Sequence, residues 1–176
     1  QDNGYYFFKY CMENLSDEEK KNIYYVIDKK APDYEKIKEY DDHIIQFMSL
    51  KHVLYVLAAV LYVASDSRTH LYAWRCKTSL IRSKIDKRPI FFLQHGVTAL
   101  KQVGPLFGRK GSSPMTYFAT TSKFEQDIVV KYLDYSEAKS PITGFTRWDV
   151  LEDTSTKDDK LILLMPTWRS WLEEVS

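Results

Sequence analysis

The sequence predicts an α/β fold with a mainly parallel sheet, on two observations. Short runs rich in β-branched and aromatic residues alternate with segments of helical periodicity along all 176 residues. One of these runs, residues 89–94, is almost continuously apolar, which is typical of a strand covered on both faces. With 44% hydrophobic and 15% aromatic residues, the chain can bury a sizeable core.

Local patterns give each element in turn. Residues 5–15 predict an amphipathic helix that a polar turn at residues 16–18 closes. Ser49 is a candidate N-cap of a helix through Val60, and Ser122 with Glu125 forms the capping box of a helix to Leu133. Strands are expected at residues 22–28, 43–47, 62–64, 89–94, 117–120 and 158–164.

Positive charge is concentrated in one segment. The net charge is only +1, which argues against a dedicated duplex nucleic-acid binder. Residues 67–88, however, hold seven basic residues and one acidic residue, interleaved with apolar and aromatic side chains. Such a segment is either a solvated loop and helix face or an exposed surface that rests on anionic lipid or polymer. In the second case the contacting residues are Arg82, Lys84, Lys87 and Arg88.

Several classes of site and location are not indicated. Cys11 and Cys76 have no metal-ligand spacing and no partner cluster, and they are expected to be free structural thiols, which fits a reducing compartment. The four histidines lack zinc spacing, and neither a dinucleotide nor a Walker motif is present, so we predict no metal site. No signal peptide is expected. The apolar run at residues 53–64 is shorter than the roughly 20 residues of a membrane span and is predicted to be a buried helix.

Polar clusters follow three of the predicted strands, where ligands of parallel sheets bind. The first is Gln94-His95-Gly96, with Lys101 a few residues later. An imidazole at a strand end, next to glycine, is exposed and titrates near neutral pH. His95 is therefore a candidate general base toward a hydroxyl, and a hydrogen-bonded core histidine is the alternative.

The other two clusters are candidate phosphate sites. Gly144 permits a tight turn beside Arg147, whose guanidinium can bind a phosphate through two hydrogen bonds. The alternative is a surface turn in which Arg147 pairs with Asp149. In the third cluster, Thr167 and Arg169 follow a proline at the end of the last predicted strand and face a cleft.

Taken in this order, the clusters resemble the CDP-glycerol glycerophosphotransferase family of teichoic acid and capsule synthesis. The matching stretches are DNGYYFFKY at residues 2–10, QHGVTALK at 94–101, Ser122 with Glu125, TGFTRWDVL at 143–151 and MPTWR at 165–169. The resemblance implies a GT-B architecture, in which two Rossmann-like domains face a cleft. Residues 1–152 are then an acceptor-side domain, incomplete at its N-terminus, and residues 153–176 are a linker and the first strand of a truncated donor-side domain.

The same resemblance implies a reaction. An acceptor hydroxyl, deprotonated with the help of His95, attacks the β-phosphate of CDP-glycerol, and CMP leaves as a phosphodiester forms. CDP-glycerol is the donor substrate, and no cofactor is implied. Substrate- and phosphate-binding roles are expected for Gln94, Gly96, Lys101, Gly144, Arg147, Asp149, Thr167 and Arg169.

The implied partners are CDP-glycerol, a lipid-linked polyol-phosphate or glycan acceptor, and an anionic membrane surface. The implied location is the bacterial cytoplasm, peripheral on the inner face of the cell membrane, and no nucleic-acid partner is expected. Two other functions stay open: a GT-B sugar-nucleotide glycosyltransferase or epimerase, and an acceptor- or membrane-binding module without catalysis. Because half of the expected cleft lies outside these 176 residues, the chain alone is expected to be inactive.

Overall fold

The helices and strands are taken from a computed structural model, which describes residues 2–71, 80–99, 102–156 and residue 162. The α-helices are α1 (Asn3–Asn14), α2 (Asp17–Lys20), α3 (Leu50–Ala58), α4 (Leu80–Asp86), α5 (Gly104–Phe107) and α6 (Lys123–Leu133). The strands are β1 (Tyr25–Ile27), β2 (Ile44–Gln46), β3 (Tyr62–Ala64), β4 (Ile90–Phe92) and β5 (Tyr117–Phe118). Short 3-10 helices span Pro32–Lys36, Lys38–His43, Arg68–Leu71, Glu137–Lys139 and Thr146–Val150.

All strand pairs in the described part of the chain are parallel. β1 pairs with β2 in a two-stranded sheet, and β3, β4 and β5 form a three-stranded sheet in that order. Helix α4 connects β3 to β4, and α5 lies between β4 and β5, since a parallel pair needs a crossover connection. The predicted α/β class with a mainly parallel sheet is therefore confirmed, and it fits a Rossmann-like domain. The GT-B layout and the domain boundary after residue 152 stay predictions.

The strands begin and end close to the predicted positions but most are shorter. β3 has the predicted bounds, whereas the run predicted at residues 117–120 forms a two-residue strand. Thr120 continues it only as an isolated parallel bridge to Ile142. Of the strand predicted at residues 158–164, all but Ile162 lies outside the described residues.

Two apolar clusters hold these elements together. In the larger one, the three-stranded sheet packs against α3, α4, α5 and α6, and the ring of Phe118 is completely buried between Phe92 and Tyr135. In the other, α1 packs against β1 and β2, and Phe8 stacks on Tyr25 with 5.0 Å between ring centroids. Cys11 lies in this second cluster as a buried free thiol, and burial raises its pKa, as expected for a structural cysteine.

Helix α3 is not the buried helix that its apolar sequence predicts. It ends at Ala58, and within it only His52 and Val56 are buried. Leu54 is 64% exposed and Leu50 is 85% exposed, because a helix on the surface buries one stripe and leaves the opposite stripe uncovered. Within the described residues no helix is both long and apolar enough to cross a bilayer.

The basic segment at residues 67–88 is exposed only in part, which corrects the prediction of one exposed surface. Arg68 is buried and donates to the Arg88 carbonyl at 2.5 Å. Arg82 pairs with Asp86 at 2.7 Å, and Arg88 donates to a backbone carbonyl of α3 at 3.3 Å. Guanidinium groups near the core need such partners, since an unpaired buried charge is costly. Lys84 and Lys87 are exposed as predicted, and residues 72–79 lie outside the described residues.

Both predicted N-caps, Ser49 and Ser122, are present, although the capping box predicted at Ser122 is not complete. Ser49 caps α3 through the His52 amide, and Ser122 caps α6 through the Glu125 amide at 3.2 Å. The Glu125 carboxylate, however, does not return to the Ser122 amide, so the reciprocal half of the predicted box is wrong. A complete box forms instead at Ser16 and Glu19, where the sequence predicted only a turn.

His52 is buried in α3 with both ring nitrogens bonded. The Met48 amide donates to Nδ1 at 3.1 Å, so the proton lies on Nε2, which donates to the Leu71 carbonyl at 2.8 Å. Burial lowers the pKa of His52, and a second proton on Nδ1 also opposes the Met48 N–H. The neutral ring is therefore the form that the fold accommodates.

This arrangement predicts a loss of stability in mild acid. The pKa of His52 is lower in the folded state than the unfolded value of about 6.5. The neutral ring therefore contributes fully to the free energy of unfolding above that value, and this contribution is lost as pH falls through the folded pKa. Between pH of about 7 and about 5, the free energy of unfolding should fall more steeply in the wild type than in His52→Gln. Urea denaturation across this range measures both slopes, with His70→Gln, which removes an exposed imidazole, as control. Equal slopes for the wild type and His52→Gln would contradict the assignment.

Candidate functional site

The chain leaves the sheet at the carboxyl end of β4 in a loop that carries His95. β4 ends at Phe92, and His95, Gly96 and Val97 are exposed at the tip of the loop. Gln94 and Thr98, on either side of this tip, are buried. The predicted position of His95 beyond the carboxyl end of a strand is therefore confirmed, and its exposure excludes the alternative of a core histidine.

The imidazole of His95 is held through one nitrogen. Nδ1 lies 2.7 Å from the carbonyl oxygen of Ser65, and because a carbonyl only accepts, Nδ1 carries the proton and donates it. Ser65 follows β3, so the neighbouring strand orients the ring. Among the described residues nothing bonds to Nε2, which keeps its lone pair on an exposed ring. That is the state in which a histidine can accept a proton from a substrate.

Gln94 lies at the base of the loop with its side chain turned into the protein. Its amide nitrogen donates to the Ala119 carbonyl and to the Glu125 carboxylate, and its amide oxygen accepts from the Thr98 hydroxyl at 2.7 Å. Its backbone has φ of +58°, a left-handed conformation that non-glycine residues adopt at a cost of about 1–3 kcal/mol. In this structure the Gln94 side chain therefore shapes the loop.

Asn3 connects the loop to the first turn of α1. Its completely buried side chain donates to the carbonyls of Leu93 and Gln94 at 3.2 and 2.7 Å. The Gly4 amide donates to the Ser65 hydroxyl at 3.2 Å. The N-terminus of α1 therefore lies against the carboxyl ends of β3 and β4, next to the ring of His95.

Arg147 lies on the other side of the loop, in the 3-10 helix Thr146–Val150. Its Nη1 is 3.3 Å from the Asp2 carboxylate, and its Nη2 donates to the His95 carbonyl at 3.0 Å. The Arg147 amide donates to the Asn3 side-chain oxygen at 3.3 Å. The alternative pairing of Arg147 with Asp149 is therefore wrong, since the carboxylate partner is Asp2. The structure brings Arg147 and His95, predicted from separate clusters, into direct contact.

The turn before Arg147 depends on glycine. Gly144 has φ of +72°, and its amide and that of Thr143 both donate to the Thr120 carbonyl, at 3.1 and 2.9 Å. This confirms the predicted tight turn, which directs the chain from the bridge at Thr120 back toward His95. Asp149 is exposed in the helix that follows, and the described part of the chain offers it no ion pair within 4.0 Å.

Lys101, Thr167 and Arg169 lie outside the described residues. Within the described ranges, no group of three or more His, Cys, Asp or Glu side chains could hold a metal ion.

Asp2, Asn3 and Ser65 orient the site, although the sequence motifs predicted no role for them. A signal existed for Asp2, because aspartate before an amphipathic run is a typical N-cap, and Asp2 accepts from the Asn3 amide at 2.7 Å. Ser65 acts through its carbonyl, for which residue type gives no signal.

Residues 1–174 match the CDP-glycerol:poly(glycerophosphate) glycerophosphotransferase family. The chain belongs to this family. It is also 30% identical over 174 residues to the minor teichoic acid biosynthesis protein GgaB of Bacillus subtilis (strain 168), a match that covers 96% of this chain and 18% of that protein. The chain thus spans less than a fifth of the length of this relative. No solved structure matches it. The family resemblance inferred from the motifs is therefore confirmed over nearly the entire chain.

In this member of the glycerophosphotransferase family, Gly144→Ala should lower the free energy of unfolding by about 1–2 kcal/mol. The cost comes from backbone conformation alone, since the nearest atom to an added Cβ, in the Trp148 ring, is 3.8 Å away. Gly96→Ala is the matched control, because no atom lies within 4 Å of its added Cβ and its φ is not positive. Urea denaturation compares the two, and an equal loss in both would contradict the requirement for a left-handed residue at position 144.

Proposed function

We propose that this chain is the acceptor-side part of an enzyme that transfers glycerol phosphate, or a related polyol phosphate, from CDP-glycerol to a hydroxyl of a cell-wall or capsule polymer. The observation that carries the proposal is the exposed His95, whose Nδ1–H is held on the Ser65 carbonyl and whose Nε2 is open. Family membership and the similarity to a minor teichoic acid biosynthesis protein support the same chemistry.

In the proposed reaction, Nε2 of His95 accepts the proton of the acceptor hydroxyl as its oxygen attacks the β-phosphorus of CDP-glycerol. A new oxygen–phosphorus bond forms, the bond to the CMP oxygen breaks, and CMP leaves with the electron pair. The Ser65 carbonyl fixes the tautomer of the ring before the transfer and stabilises the imidazolium that results. No step requires a covalent enzyme intermediate.

Arg147, which bonds to the His95 carbonyl, is the positive group in this proposal. Its guanidinium has five N–H groups in a planar fork, and its side chain is 31% exposed. Nη1 bonds to Asp2 and Nη2 to the His95 carbonyl. We assign the remaining N–H groups to a phosphoryl oxygen, where they stabilise developing negative charge. Lys101, Thr167 and Arg169 keep their predicted phosphate-binding roles in this proposal, and Gly96 and Asp149 their substrate-binding roles.

The proposal predicts that His95→Ala lowers kcat for CMP release from CDP-glycerol by about 10²–10⁴-fold in the full-length protein, because loss of a general base has that effect. The melting temperature should stay near wild type, since the side chain is exposed. His95→Gln should be nearly as inactive, because glutamine cannot accept the proton. His70→Ala, which removes another exposed histidine, is the matched control and should keep full turnover.

Two results would overturn this assignment. A folded His95→Ala protein with normal turnover would remove His95 from the mechanism and leave Arg147 and Asp149 as candidates. Turnover of sugar nucleotides in place of CDP-glycerol by the wild type would favour the glycosyltransferase or epimerase alternative.

A second proposal concerns membrane contact, and the exposed side chains of α3 and α4 favour it. The two helices pack against each other. Leu50 and Leu54 are exposed one turn apart on α3, and Lys84 and Lys87 are exposed on and just after α4. Exposed apolar side chains together with cations are what interfacial helices present to anionic lipid. We propose that this α3–α4 surface rests on the inner face of the bacterial cell membrane, where a lipid-linked acceptor is available.

Charge reversal tests the α3–α4 surface. The double variant Lys84→Glu/Lys87→Glu should bind vesicles containing anionic lipid at least about 10-fold more weakly, because each lysine near such a surface contributes about 1 kcal/mol. Lys21→Glu/Lys30→Glu changes the net charge equally at exposed positions elsewhere and is the control. Co-sedimentation at low salt measures binding, since salt screens the attraction. Equal binding of the two double variants would contradict the proposal.

A further inference from the structure

Glu125 is a completely buried carboxylate in the first turn of α6. Oε1 accepts from the Thr98 amide at 2.5 Å and from the Gln94 side chain at 3.1 Å. Oε2 accepts from the amide and the hydroxyl of Thr121, at 2.7 and 2.8 Å. Both oxygens are therefore saturated with donors, and the described part of the chain provides no cationic side chain within 4.0 Å of them.

One oxygen of this carboxylate joins both ends of the loop that carries His95. Gln94 precedes the exposed tip and Thr98 follows it, and the Thr98 hydroxyl closes the base of the loop on the Gln94 amide oxygen. The left-handed backbone of Gln94 persists only where its surroundings fix it, and the buried bonds of its side chain do so. Glu125 thus bonds to both ends of the loop, beside the bonds that Asn3 and Arg147 make to its backbone.

Helix α6 does not need this carboxylate for its own start. Ser122 already caps the helix by accepting from the Glu125 amide. At the same position of α2, Glu19 returns to the amide and hydroxyl of its cap residue, Ser16, as a purely structural glutamate does. Glu125 bonds locally only through Oε2, to Thr121, whereas Oε1 reaches out of the helix to the loop. The described residues provide no cationic partner for this buried carboxylate.

We propose that Glu125 is a positioning residue for the transfer reaction, acting through Gln94 and Thr98 on His95. By fixing the loop, it keeps the His95 ring on the Ser65 carbonyl and the His95 carbonyl on Arg147. The proposed general base, His95, and the proposed phosphate-binding cation, Arg147, are thereby held in a fixed position relative to each other. This inference rests on the function proposed for His95.

Glu125→Gln tests the proposal because it keeps the volume of the side chain but sets an NH₂ group against N–H and O–H donors. We expect kcat of the full-length protein for CMP release to fall about 10- to 100-fold with little change in KM, since a misplacement of about 1 Å at a reacting group has an effect of that size. Thr98→Val should lower kcat in the same direction, and Thr98→Ser, which keeps the hydroxyl, should retain it. Ser122→Ala is the matched control, because it destabilises the same helix without contact to the loop, and its kcat per folded molecule should stay normal.

A second measurement does not depend on activity. In Glu125→Gln, hydrogen exchange at the Thr98 amide should accelerate at least about 10-fold beyond any change in global stability, and the ring ¹⁵N shifts of His95 should show loss of the fixed tautomer. If the wild type does not release CMP, the proposed function fails while these readouts still decide the role of Glu125. The proposal would be overturned if Glu125→Gln kept both the kcat of the wild type and its protection of the Thr98 amide from hydrogen exchange. The proposal would also fail if kcat fell in both Glu125→Gln and Ser122→Ala in proportion to the stability that each variant loses. Glu125 would then have only a structural role.

Discussion

Just beyond the carboxyl end of β4, the chain leaves the sheet. The Asn3 side chain donates hydrogen bonds to two backbone carbonyls of this segment. A buried carbonyl without a donor is costly, so the chain can turn outward after Phe92 only where a donor is present. The Asn3 amide reaches the carbonyls of Leu93 and Gln94 and, through its oxygen, the backbone of Arg147. This one side chain thus joins the start of α1, the His95 loop and the start of the 3-10 helix Thr146–Val150.

Polar groups around the loop separate into two layers. Asn3, Gln94, Thr98 and Glu125 are buried and bond to protein atoms, whereas His95 and Gly96 are exposed at the tip. In a low-dielectric surrounding, fully satisfied hydrogen bonds fix geometry more strongly than they do in water. The buried layer therefore holds the exposed groups in place, and only a small set of side chains is left free to meet a substrate.

The sequence predicted those structural features that depend only on residues close together in the chain. The strand at residues 62–64, the caps at Ser49 and Ser122 and the turn at Gly144 each follow from a few adjacent residues, and each is present. Contacts between distant residues were not predictable in this way. Nothing near Arg147 indicates that its carboxylate partner is Asp2 instead of Asp149. The burial of Arg68 and the exposed stripe of α3 likewise depend on which elements pack together, which a local charge or apolar run does not specify.

The hydrogen bond from Arg147 to Asp2 joins residues separated by 145 positions in sequence. Closing so long a segment carries an entropic cost that local contacts do not have. During synthesis, the first turn of α1 leaves the ribosome long before its partners in the 3-10 helix exist. The elements of the sheet can assemble in the meantime, but the surroundings of His95 stay incomplete until residue 147 has emerged. A nascent chain that stops short of the TGFTRWD stretch would therefore have a sheet and the His95 ring on the Ser65 carbonyl, but not the Arg147 guanidinium that bonds to the His95 carbonyl.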